Sequence, residues 1–85
     1  MEPVQQWTGH TACELQHALR MSNESFAAHL GIAARTVAMW HQKPERVPNS
    51  EMQQALDTAL ERAGDGAKAR FAIGLYKSKV AVQLG

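Results

Sequence analysis

The sequence predicts an all-α fold: one compact domain of four to five helices with a short C-terminal tail. Three observations carry that reading. The chain is rich in alanine and leucine and holds only two Trp, one Tyr and two Phe, a composition that favours helices over strands. Its apolar residues recur three and four apart, as one face of a helix requires. Residues 22–42 form two short helical patterns hinged on Gly31. At 85 residues the chain makes one domain with a thin stability margin.

Each element has its own signal. Helix one is expected over residues 9–20, with Thr8 as its cap and Ala12, Leu15 and Leu19 on one stripe beside Ala18. Trp7 precedes the cap and is expected to pack back over the first turns. Helix two is expected over 23–30, capped by Ser22, with Phe26, Ala27 and Leu30 facing inward. Ala27 is small because two helices cross there. Gly31 supplies a backbone conformation with positive φ, and Ile32 tucks under the turn. Helix three is expected over 33–42 on Val37 and Trp40, ending at Lys43-Pro44 because a residue before proline avoids helical geometry. Two prolines stiffen the loop that follows. Helix four is expected over 50–63, with Ser50 and Gln53 as a capping box and Met52, Leu56, Leu60 and Ala63 inward. Gly64-Asp65-Gly66 punctuates its end. The tail is ambiguous. Phe71 and Leu75 suit a helix over 66–76, while Phe71, Ile73 and Leu75, then Val80, Val82 and Leu84, alternate as strands do. The favoured reading is a fifth helix and then an extended end, with a hairpin turning near Lys77-Ser78 as the alternative.

Charge and cysteine usage bound the setting. The formal net charge is only +1, but the charges are unevenly spread. Residues 20–47 carry Arg20, Arg35, Lys43 and Arg46 against Glu24 and Glu45, and residues 67–85 carry Lys68, Arg70, Lys77 and Lys79 with no acid. Between them Arg62 stands against Glu51, Asp57, Glu61 and Asp65. A nucleic-acid footprint has this form, and so does chance scatter of surface charge. The single cysteine, Cys13, allows no internal bridge, which fits a reducing compartment, and a cytoplasmic location is expected. No stretch approaches the roughly 18 apolar residues of a membrane span, so no membrane partner is expected.

The hinged pair at 22–42 carries the function reading. Two helices joined by a tight glycine turn form the helix-turn-helix, whose second helix enters a DNA major groove. With Asn23 as the first position, small Ala27 is fifth, Gly31 ninth, Ile32 tenth, Val37 fifteenth and Trp40 eighteenth. This pattern resembles the lambda-repressor-like helix-turn-helix family of bacterial and phage regulators, the xenobiotic-response-element type, over residues 9–63. The runs Arg35-Thr36-Val37-x-x-Trp40 and Ala55-Leu56-Asp57-Thr58-Ala59-Leu60 resemble its actinobacterial members. The family commonly follows the tryptophan with an acidic residue and soon a glycine, where this chain has His41, Gln42 and Lys43-Pro44.

The resemblance implies a sequence-specific DNA-binding transcriptional regulator of the repressor type, acting on double-stranded DNA as a homodimer. Helix three would lie in the groove with Ala33, Ala34, Arg35, Ala38, Met39 and Gln42 toward the bases. Arg35 is the best base reader, since its planar fork matches guanine's two acceptors; Gln42 suits adenine, and Met39 and the alanines suit thymine methyls. Ser25 and Thr36 would lie near phosphates beside the amino end of helix two. Arg20, Lys43 and Arg46 would neutralise phosphates and set position. Residues 1–64 would be the DNA-binding domain, and residues 65–85 a tail offering a dimer contact.

Other chemistry is weaker. His10, Cys13 and His17 share one face of helix one, but three ligands on a short helix seldom converge on one centre, and no metal or cofactor is expected. No nucleophile-base-acid set and no phosphate loop stand out, so no enzymatic activity is expected. The main competing function is a protein-binding module, an antitoxin or adaptor built on the same scaffold.

Overall fold

The structure is a computed structural model that describes residues 6–84, with side chains as far as Lys79. It is all-helical. Five helices follow in order: α1 (Gly9–Leu19), α2 (Asn23–Leu30), α3 (Ala34–Gln42), α4 (Ser50–Arg62) and α5 (Asp65–Leu84). No helix among the described residues is long and apolar enough to cross a membrane.

One core joins all five. Ala12, Leu15 and Ala18 of α1, Phe26 and Ala27 of α2, Val37 and Trp40 of α3, Leu56, Ala59 and Leu60 of α4 and Phe71 of α5 are buried together with Trp7. Ala27 is buried as expected of a crossing point, and the Phe26 and Trp40 rings meet edge-on at 6.4 Å. Trp7 reaches farther than the first turns of α1. Its ring stacks on Phe71 at 5.5 Å, and its indole N–H donates to Asp57 Oδ1 at 2.7 Å. Buried tryptophan tolerates its N–H only with such a partner.

The ends of the helices explain where they start and stop. Thr8 opens α1 with a reciprocal box, its hydroxyl accepting from the Thr11 amide while Thr11 Oγ1 accepts from the Thr8 amide at 2.9 Å. Ser22 caps α2 by accepting from the Ser25 amide. The cap of α4 is Asn49, whose side chain accepts from the Met52 amide at 3.0 Å, rather than Ser50. Asn and Ser are nearly equal as caps, and Gln53 is needed elsewhere. Its amide pairs with the Trp7 backbone, Oε1 accepting from the Trp7 N–H at 2.7 Å and Nε2 donating to the Trp7 carbonyl at 3.0 Å.

The C-terminal segment differs most from expectation. It is neither extended beyond residue 76 nor a hairpin; α5 runs unbroken to Leu84. Alternation over so few residues does not separate strand from helix, and no proline interrupts residues 65–84. Docking on α1 decides the outcome. Phe71 and Ala67 are buried, Arg70 Nε donates to the Ala18 carbonyl at 2.9 Å, and Ser78 Oγ donates to Glu14 Oε1. The side chains of Val80, Val82 and Leu84, half of the alternating pattern, lie outside the described residues. The break at residues 63–64 ends a helix, while the core continues into α5.

Candidate nucleic-acid interface

The candidate surface is built on α2, a three-residue turn and α3. The turn is closed by Gly31, at φ +75°, the left-handed region that a side chain disfavours. Its N–H and that of Ile32 return to the last turn of α2, Ile32 N–H reaching the Ala27 carbonyl at 2.9 Å. This closes the free carbonyls of the helix in a Schellman-type cap. Ile32 is half-buried beneath it. Ala33 then precedes α3 and gives it no side-chain cap.

The burial of Val37 and Trp40 fixes the rotation of α3. At 100° per residue, Arg35, Ala38, Met39 and Gln42 fall on the arc opposite Val37. Arg35 and Gln42 are exposed, and Ala38 and Met39 are half-buried. Ala34 falls on the inner side and packs against the core, so its methyl has little reach outward. Thr36 is half-buried at the flank and Ala33 is exposed. Of the base-facing set, the structure therefore groups Arg35, Ala38, Met39 and Gln42 on one outward strip, with Ala34 apart from it.

The basic flank is held more firmly than a loop of seven residues implies. Lys43 and Arg46 are exposed on the segment after α3. That segment is tied to the start of α1: Gly9 N–H donates to the Arg46 carbonyl at 2.7 Å and His10 N–H to the Pro44 carbonyl at 2.8 Å. The first amides of α1, which have no partner within their own helix, thus fasten the exit from α3. Gly9 makes the approach possible, since a Cβ there would sit 3.0 Å from the carbonyl oxygens of Trp40 and Lys43. Arg46 also lays Nη1 3.4 Å from Met39 Sδ, so one expected phosphate contact and one expected base contact touch each other.

At the other end, Ser25 is exposed and its hydroxyl accepts from Ser22 Oγ at 3.0 Å. Arg20 is exposed and caps α1 at φ 59°, ψ 43°, a left-handed conformation unusual for a side chain with a Cβ.

Sequence reasoning missed the polar centre of this surface. Gln16 is 6% exposed and links three elements. Its Nε2 donates to the Met21 carbonyl at 3.2 Å and to Asn23 Oδ1 at 2.9 Å. Its Oε1 lies 2.8 Å from Nε2 of His41 in the last turn of α3. The signal available was a lone glutamine between Leu15 and Ala18 on the inner side of helix one. Nothing in one sequence distinguishes such a residue from a solvated one.

Cys13 is half-buried, and burial together with the neighbouring Glu14 carboxylate pushes its thiol from 9.0 up to about 11. A thiol so disposed is a poor nucleophile at neutral pH. Among the described residues no group of three His, Cys, Asp or Glu side chains converges to hold a metal ion. Compared with protein-family models, curated proteins and solved structures, the chain matches none.

Proposed function

We propose that this chain is a lambda-repressor-like helix-turn-helix domain that binds double-stranded DNA sequence-specifically, as a transcriptional regulator. The observation that supports it best is the outward strip of α3. Val37 and Trp40 root the helix in the core, and Arg35 and Gln42, two side chains suited to guanine and adenine edges, are left exposed. In this reading α3 enters the major groove and α2 braces across the backbone. Arg20, Ser25, Lys43 and Arg46 lie toward phosphates and set register. Thr36 assists from the flank, and Met39 is shared between groove contact and support of Arg46.

One such domain reaches few base pairs, and two copies on a two-fold site reach enough. The exposed Ile73 and Tyr76, one turn apart on α5, are the surface we assign to the contact between copies. They equally favour the second reading, a module that docks a partner protein through α5.

Selection of binding sites from random duplex DNA, followed by titration at several salt concentrations, tests the DNA reading. Arg35→Ala is expected to lose about 1–3 kcal/mol on the selected site and little on random DNA. Lys43→Ala is expected to weaken both alike and lower the salt slope by about one. Absence of any binding at low salt overturns the DNA reading and leaves the protein-docking module.

A further inference from the structure

A cleft of about 400 Å³ opens where the end of α1, the start of α2 and the last turn of α3 meet, lined by Gln16, His17, Arg20, Met21, Asn23 and His41. Arg20 is its one charged side chain, joined by two imidazoles and by the amides of Gln16 and Asn23.

Gln16 determines what His41 does there. The Met21 carbonyl can only accept, so the Gln16 atom 3.2 Å from it is the NH₂ group. Its oxygen must then face His41, and His41 Nε2 must be the donor across the 2.8 Å bond. Nδ1 of His41 is thereby left as the proton-accepting nitrogen. His41 gains a full positive charge at Nδ1 without breaking any bond of the Gln16 network. It sits in the last turn of α3, where the helix dipole favours a cation. Beside it α2 begins, whose first amides favour an anion.

We propose that this cleft is a phosphodiester site, and that His17 and His41 take up protons as it fills. The inference rests on the DNA reading above and adds three residues to it: His17, Asn23 and His41. The groups facing the imidazoles are few. Across the cleft His41 meets His17 and Arg20 of α1, and α2 contributes the uncharged Asn23. On its other side His17 borders the groove between α1 and α5, with Glu14 opposing Arg70 and Lys77. Without an anion, a proton added to either imidazole is opposed by the Arg20 charge. A phosphodiester oxygen reverses that balance, so binding and protonation support each other. Affinity for DNA therefore rises as pH falls.

The test is calorimetric titration of the full chain with duplex DNA, at constant ionic strength, in buffers of different ionisation enthalpy between pH 8 and pH 6. Net proton uptake is expected, with binding tightening as pH falls by at most about tenfold per pH unit for each proton taken up. His41→Gln places a non-titrating N–H donor opposite Gln16. This variant and His17→Gln should each reduce the uptake, and the double variant should abolish it. His10→Gln and His29→Gln, at other grooves, should leave it unchanged. Duplex binding without proton uptake, uptake that survives the double variant, or uptake with inorganic phosphate but not with duplex overturns this proposal and spares the DNA reading. No duplex binding at any pH overturns both.

Discussion

Gly9 and Gly31 are glycines for opposite physical reasons, and alanine and asparagine scanning at both positions separates them. At Gly31 an added Cβ meets nothing within 4 Å. The whole cost of Gly31→Ala is therefore the left-handed backbone at φ +75°, about 1–2 kcal/mol. Asparagine tolerates that region better than alanine, so Gly31→Asn should recover part of the loss. At Gly9 the obstacle is steric. An added Cβ falls 3.0 Å from two backbone carbonyl oxygens and 3.1 Å from Pro44 Cα, and backbone cannot rotate out of the way. Separating the chains adds about 1–3 kcal/mol of overpacking strain. It also stretches the bonds from Gly9 to Arg46 and from His10 to Pro44, worth about 0.5–1.5 kcal/mol each. A gain in helix propensity of up to about 1 kcal/mol offsets part of this, leaving a loss of about 1–6 kcal/mol for Gly9→Ala. The larger asparagine should be worse than alanine there. Urea unfolding followed by circular dichroism reads all four variants, and each kcal/mol corresponds to about 4–8 °C in Tm for a domain of this size. The rank order of Ala and Asn must cross between the two positions. The same order at both, or a Gly31→Asn no better than Gly31→Ala, refutes the reasoning.

Arg20→Gly relieves the other left-handed position and should stabilise the fold by about 1 kcal/mol while weakening duplex binding; a variant both less stable and unchanged in binding contradicts both roles. Phe71→Ala should cost about 3–5 kcal/mol, because the ring is fully buried against Trp7. For the same reason a chain ending at Gly64 should lose cooperative unfolding rather than persist as a folded monomer, and a sharp thermal transition in that fragment would count against α5 as part of the core. Cys13, with its thiol raised to about 11, should react with iodoacetamide at pH 8 at least tenfold more slowly in the folded chain than in denaturant. The sign also fixes a stability trend: burial favours the neutral thiol, so that contribution is present below pH 9 and is lost as pH rises toward 11. Cys13→Ala should flatten this part of the alkaline decline, and an equally steep decline in that variant would refute the assignment.

Local signals in the sequence located most of the fold. Helix starts at Thr8 and Ser22 were legible because a short hydroxyl before an apolar stripe has one good use. The turn at Gly31 was legible because glycine takes a left-handed backbone at little cost and stands between two short apolar stripes. The outward placement of Arg35 and Gln42 followed once the inner face was fixed. What stayed hidden depends on contacts far along the chain. Asn49 takes the cap of α4 because Gln53, in the best position for a capping box with Ser50, is drawn to the Trp7 backbone 46 residues away. Asp57 looked like one acid among three on an acidic helix until the Trp7 indole reached it. The helical state of residues 77–84 was undecidable from period alone, and α1 supplies the surface that α5 needs.

The exit from α3 shows the same limit at the site itself. The family pattern that the sequence resembles commonly places an acidic residue after the tryptophan, and His41 in that position reads from sequence as a simple departure. Its meaning lies in Gln16. With the Met21 carbonyl holding the glutamine NH₂ on one side, the oxygen presented to position 41 requires a donor. A carboxylate there would set acceptor against acceptor, whereas an imidazole donates and still keeps a nitrogen free. Pro44 is held from the same helix, its carbonyl accepting from the His10 amide while Gly9 gives the room for that approach. Both His41 and Pro44 thus bond to residues of α1. The end of α3 is positioned by the first helix of the chain as much as by the turn at Gly31.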